Sequence, residues 1–129
     1  MNRIKADAVK WIIGFAIVAM AGITVLHGQS GQISSDTATA YLRKGAQVID
    51  VRTPAEYGAG HLPNAINVPL QLIEAGAPLP LKNKQQVLLL HCQGGVRSAK
   101  ATKLLSGMGY VNVFDLGSYS RAEQIVTAK

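Results

Sequence analysis

At 129 residues the chain has room for one domain of ordinary size, since domains cluster near about 100–150 residues. Apolar residues make up 48% and charged residues only 16%, low beside the roughly 25% of an average globular chain, and the shortfall is local: Trp11 to Leu26 carry no charge at all. The net charge of +6 is spread without a basic run or interleaved aromatics, so nucleic-acid binding has little support; the single cysteine excludes an internal disulfide framework, and His27, His61 and His91 show no metal-ligand spacing.

The first predicted element is apolar. Arg3, Lys5 and Lys10 precede it, and Val9 to Gly28 supplies twenty residues, the length a spanning helix needs if Lys10 snorkels to the headgroups. Trp11 stands where an interfacial aromatic belongs. A cleavable signal peptide is the rival reading, because Ala19-Met20-Ala21 has the small-x-small form and Trp11–Val18 can serve as its apolar core. The apolar run continues past that cut through Ile23-Thr24-Val25-Leu26, which favours an uncleaved anchor. Both readings keep the positive N-terminus in the cytoplasm and send the rest across the membrane. Residues 27–36 are polar and Gly/Ser-rich, as a tether is. The expected organisation is therefore a signal-anchor segment over 1–29 and one domain over 30–129.

Within the domain, Ser34-Ser35-Asp36 offers an N-cap and Gly45 a left-handed stop, framing a helix of about ten residues. Val48-Ile49-Asp50-Val51 reads as a strand buried on both faces. Thr53-Pro54-Ala55-Glu56 has the form of a capping box with proline at the first helical position, and Gly58 and Gly60 keep that helix short. Ala65 to Val68 is a small strand stopped by Pro69, and Leu70 to Glu74 allows one or two helical turns. Val87-Leu88-Leu89-Leu90 is the central strand candidate. Ala101, Leu104, Leu105 and Met108 share one helical face over Ser98–Met108, with Gly109 as the stop. Tyr110–Phe114 is predicted as the last strand and Ala122–Ala128 as a final helix. This alternation predicts an α/β domain with a mostly parallel sheet.

The candidate site is Cys92, which follows a buried strand and precedes a helix. Ligands of open parallel sheets bind beyond the carboxyl ends of the strands. Gly94 and Gly95 let successive N–H groups turn inward as a nest. The helix N-terminus adds partial positive charge and Arg97 a full one. Together these favour a thiolate, an anionic substrate or an anionic adduct on sulfur. His91 is expected to point away from the nucleophile, and Arg52 and Glu56 are read as surface or capping residues.

Val48 to Tyr57, Gly60 to Pro69 and Cys92 to Arg97, in that order, resemble a rhodanese domain over about Ile33–Gly117. With its small size and export segment, the chain is most similar to the single-domain thiosulfate sulfurtransferases of the phage-shock protein E type. The resemblance implies a five-stranded parallel sheet with helices on both faces, here behind one N-terminal transmembrane helix. It implies transfer of a sulfane sulfur from thiosulfate, or a similar donor, to a thiophilic acceptor such as cyanide or a thiol, with no metal or organic cofactor. Cys92 would carry the sulfur as a persulfide. The amides of Gln93, Gly94, Gly95, Val96, Arg97 and Ser98 would cradle it, and the Arg97 side chain would hold the anion. Asp50, Arg52 and His61 would support the loop. Gln93 departs from the basic residue that many thiosulfate-using members carry directly after the cysteine. Gly117-Ser118 stands in place of a Gly-Gly pair.

Two other functions compete. One is a persulfide carrier or redox-sensing module with little turnover. The other is a cysteine phosphatase or arsenate reductase on the related fold, whose cysteine and arginine are separated by one residue more than Cys92 and Arg97. The expected location is the bacterial inner membrane, single-pass, with the domain in the periplasm, or a soluble periplasmic protein after cleavage.

Overall fold

The computed structural model describes residues 31–128. Residues 1–30 and Lys129, and with them the expected apolar segment, lie outside that range. Among the described residues no helix is long and apolar enough to cross a membrane.

The elements follow in chain order as α1 (Ser35–Arg43), β1 (Gln47–Asp50), α2 (Pro54–Ala59), β2 (Ile66–Asn67), α3 (Leu70–Glu74), β3 (Leu88–His91), α4 (Val96–Gly107), β4 (Val113–Gly117) and α5 (Tyr119–Thr127). The four strands form one parallel sheet in the order β2-β1-β3-β4. Successive strand residues point to opposite faces, and the core divides accordingly. Ile49, Leu88 and Leu90 pack with Ile73 of α3 and Ala101 and Leu105 of α4. Val48, Leu89 and Leu116 pack on the other face with Ala38 of α1 and Ala122 and Ile125 of α5. A strand covered on both faces must be apolar throughout, and Leu88, Leu89 and Leu90 are each at most 1% exposed.

The local signals act as their chemistry dictates. The Ser34 side chain accepts from the Thr37 amide to start α1. Thr53 and Glu56 form the reciprocal capping box that starts α2, with Pro54 in its first turn. Gly45, with φ of 91°, turns the chain out of α1 towards β1.

Three expectations are corrected. The described sheet has four strands rather than five. Among the described residues next to β4, Gln32 forms a single parallel bridge with Asp115, and Ser34 caps α1 two residues later. The last strand lies at Val113–Gly117, not Tyr110–Phe114. Tyr110 is instead buried as part of the approach, its hydroxyl donating to the Leu81 carbonyl at 2.6 Å, and Asp115 is tolerated inside because its Oδ1 accepts the Gly117 amide at 2.8 Å. The last helix starts three residues earlier than Ala122, since Ser118 caps it by accepting from the Arg121 amide.

The register aligns the carboxyl ends of the strands. Asp50 stands opposite Asn67 and His91, and His91 opposite Gly117 after a one-residue slip following Leu90. The segments leaving β1, β3 and β4 therefore converge at one edge.

Candidate active site

Cys92 leaves the end of β3, and its side chain is buried, with the residue 1% exposed. The chain then turns through Gln93 and Gly94 to Gly95, which adopts φ 100° and caps α4. That left-handed conformation is strained for a residue with a Cβ. It brings the Gly95 N–H to 3.0 Å from the Cys92 Sγ. The Ser98 Oγ lies 3.7 Å from the same sulfur, and also approaches the carbonyls of Gly95 at 3.1 Å and Gly117 at 3.3 Å. Burial alone would push the Cys92 thiol up. The Ser98 amide and hydroxyl, with the amides of Gly95 and Arg97, outweigh it and hold the thiol below its ordinary value. These donors sit at the positive pole of a twelve-residue helix whose first turn holds no acidic residue. This setting favours the thiolate form of Cys92, in a nest of amides able to stabilise negative charge on the sulfur or on an atom it acquires.

The loop is clamped from β4. The Cys92 amide donates to the Gly117 carbonyl at 3.1 Å, the Tyr119 amide to the Gln93 carbonyl at 3.1 Å, and Gly94 bridges Ser118. Gly117 has φ 88°, which disfavours any side chain there, and a Cβ would press on the end of the Gln32 side chain. The Gly-Ser pair is therefore a platform for the cysteine loop.

Asp50 and Arg52 brace the loop from β1. Asp50 is 0% and Arg52 5% exposed, which corrects the reading of Arg52 as a surface residue. The pair is bidentate, with Nε to Oδ1 at 3.0 Å and Nη2 to Oδ2 at 2.7 Å. Arg52 also donates to the Gly60 carbonyl at 2.7 Å and to the Gln93 Oε1 at 3.3 Å, and lies 4.8 Å over the Tyr119 ring. One buried guanidinium so joins β1, the end of α2, the cysteine loop and α5. Its hydrogen bonds to Asp50 hold it above the ordinary arginine value.

His91 is fully buried. Its Nδ1 lies 3.1 Å from the Cys92 carbonyl, and the hydrogen bonds to the sulfur do not include it. Its Nε2 stands 3.7 Å from Asp50 Oδ2 and has no hydrogen-bond partner. Burial pushes its protonated form below the ordinary histidine range. His61 does not reach the cysteine loop: it is exposed, stacked on Tyr57 at 3.8 Å, with Nδ1 3.0 Å from the Tyr57 carbonyl. Gln93, Gly94 and Val96 form the exposed rim, Val96 at 82%.

Arg97 departs from expectation. Its Nη1 and Nη2 donate to Glu56 Oε1 at 2.6 Å and Oε2 at 3.0 Å, so its guanidinium is engaged rather than open. Glu56, read only as a cap, has this second role. Arg97 holds its carboxyl at about 2, well below the usual carboxylate value. The two residues are 41 positions apart, and no local pattern announces the pair. Tyr119 was likewise missed. Among the described residues no three His, Cys, Asp or Glu side chains gather as a metal-ligand set.

The description "Rhodanese-like domain" matches residues 34–121. The chain belongs to the rhodanese-like family. It is 35% identical over 69 residues to the thiosulfate sulfurtransferase PspE of Escherichia coli (strain K12), covering 54% of this chain and 66% of that one. It is 38% identical over 101 residues to the chloroplastic thiosulfate sulfurtransferase 16 of Arabidopsis thaliana, covering 68% of this chain and 82% of that one. Among solved structures it is similar to the human single-domain sulfurtransferase TSTD1, with a TM-score of 0.62, 25% identity and coverage of 76% of this chain and 97% of that one. Other relatives are tRNA uridine(34) hydroxylases, of which this chain spans about a fifth, 21% for that of Hamiltonella defensa. The rhodanese fold, with a parallel sheet between helices, is the architecture described above.

Proposed function

We propose that the domain is a sulfurtransferase that carries a sulfane sulfur on Cys92. The observation that carries this reading is the sulfur's setting: Sγ lies 3.0 Å from the Gly95 amide and beside Ser98, at the head of α4. Thiosulfate sulfurtransferases among the relatives support the same chemistry.

With thiosulfate as donor, the Cys92 thiolate attacks the outer sulfur. The S–S bond of thiosulfate breaks, sulfite leaves with the electron pair, and Cys92–S–S⁻ remains. The amides of Gln93 to Ser98 hold the negative charge of that persulfide, as an oxyanion hole holds developing charge. Arg97 stands at the end of the loop with its guanidinium on Glu56. Cyanide or a thiolate then takes the outer sulfur and returns the Cys92 thiolate. Asp50 and Arg52 keep the loop in shape and touch no reacting atom.

The test is thiocyanate formation from thiosulfate and cyanide by the wild type and by Cys92→Ser. Activity in the wild type and none in a folded Cys92→Ser protein is the expected result. Equal activity in both overturns the mechanism.

We further propose that residues 9–28 anchor the protein in a bacterial inner membrane with the domain in the periplasm. The arrangement of Arg3, Lys5 and Lys10 before the apolar run supports it. Protease added to spheroplasts should digest the domain, and a protected domain would contradict the orientation.

A further inference from the structure

The cations nearest the cysteine loop in contact or in sequence, Arg52, Arg97 and Lys100, are each paired with a carboxylate. Arg52 is bound by Asp50, Gly60 and Gln93. Lys100 lies 3.3 Å from Glu74. Arg97 has both terminal nitrogens on the Glu56 carboxylate. The residue directly after the cysteine, Gln93, is neutral and exposed. A small dianion approaching the thiolate therefore meets no free guanidinium. It meets a carboxylate that competes for the same two N–H groups.

We propose that Glu56 selects the sulfur donor: by holding Arg97 in a two-pronged ion pair it weakens the attraction for dianionic thiosulfate and favours sulfane sulfur carried on an organic thiol, a hydropersulfide. This rests on the sulfurtransferase reading above. A hydropersulfide needs no dianion site. The Cys92 thiolate attacks the terminal sulfur of R–S–SH, the S–S bond breaks, R–S⁻ leaves with the electron pair, and the proton stays on the transferred sulfur to give Cys92–S–SH. The exposed Val96 beside the loop offers apolar surface to R rather than charge.

Glu56 acts through Arg97 and is a positioning residue, so its test separates binding from turnover. Glu56→Gln removes the charge while keeping the capping box, which accepts glutamine as well as glutamate at that position. Full-length wild type and variants are assayed with thiosulfate and with 2-hydroxyethyl hydropersulfide as donors, and loading of Cys92 is read by intact mass. Glu56→Gln should lower the KM for thiosulfate about fivefold with kcat within about twofold, the scale of a partly exposed ion pair. The KM for the hydropersulfide should stay unchanged. In an Arg97→Gln background the same substitution should alter neither donor. Unchanged thiosulfate KM in Glu56→Gln, or an equal change for both donors, overturns the donor filter while leaving Cys92 transfer intact. No sulfur on Cys92 from either donor in wild type overturns both. Should Glu56→Gln fold poorly, Arg97→Gln alone decides: with its guanidinium already held by Glu56, its loss should change kcat/KM for thiosulfate and for the hydropersulfide alike, and a loss confined to thiosulfate overturns the proposal.

Discussion

Replacing Asp50 by asparagine keeps the shape of the side chain and removes its charge, which leaves the Arg52 guanidinium buried without a counter-ion. The Arg52 side chain is 7% exposed and that of Asp50 0%, so little water is available to compensate. Breaking a buried pair from one side costs about 3–5 kcal/mol. The Gly60 carbonyl, the Gln93 side chain and the Tyr119 ring remain as partners, so Asp50→Asn belongs at the lower end, about 3 kcal/mol. Arg52→Met strands the carboxylate instead, in a fully buried site beside the unpartnered Nε2 of His91, and belongs at the upper end. For a domain of this size, total stability is about 5–15 kcal/mol, so either loss is a large fraction of it. The double variant Asp50→Asn/Arg52→Met leaves no unpaired charge and should be less destabilised than the sum of the singles by about 2 kcal/mol. Urea unfolding followed by circular dichroism measures all four proteins. Single variants within about 1 kcal/mol of wild type, or strictly additive losses, would refute the claim that this pair is a buried brace.

Gly117→Ala forces a Cβ into a backbone with φ 88°; it should destabilise the domain by about 1–3 kcal/mol and slow alkylation of Cys92, measured by urea unfolding and iodoacetamide kinetics. His91 is buried with its protonated form disfavoured relative to the ordinary 6.5, so the unfolded chain binds the extra proton first and stability falls as pH drops below about 6.5. His91→Gln should lack that part of the loss, read as a wild-type minus variant difference in unfolding free energy that is smaller at acid pH than at neutral pH. Four residues separate Cys92 from Arg97, and each further residue adds up to about 3.5 Å of chain, so the tight ring suits one terminal sulfur rather than a tetrahedral oxyanion. Aryl phosphates should not be hydrolysed, and Cys92-dependent hydrolysis faster than thiosulfate conversion would install the phosphatase reading instead.

Much of the fold was legible because its signals are local. The all-apolar run Val87–Leu90, the Thr53–Glu56 capping box and the helical face of Ala101, Leu104, Leu105 and Met108 each specify an element without help from distant residues. Tyr110–Val111 misled, since its β-forming residues serve a buried tyrosine anchor and an exposed turn rather than the ladder. The site was legible where chain order carries the geometry: strand, Cys92, two glycines, helix. It was not legible where geometry comes from partners far apart in sequence. Nothing near Arg97 signals that its guanidinium is engaged by Glu56, and nothing near Arg52 signals that the sheet edge encloses it.

Intact-mass analysis after treatment with excess thiosulfate tests the central claim most directly. The account predicts one added sulfur on the wild-type protein, removed by cyanide with release of thiocyanate, and none on Cys92→Ser. A wild-type protein that stays unmodified, or a Cys92→Ser protein that gains the same sulfur, would contradict it.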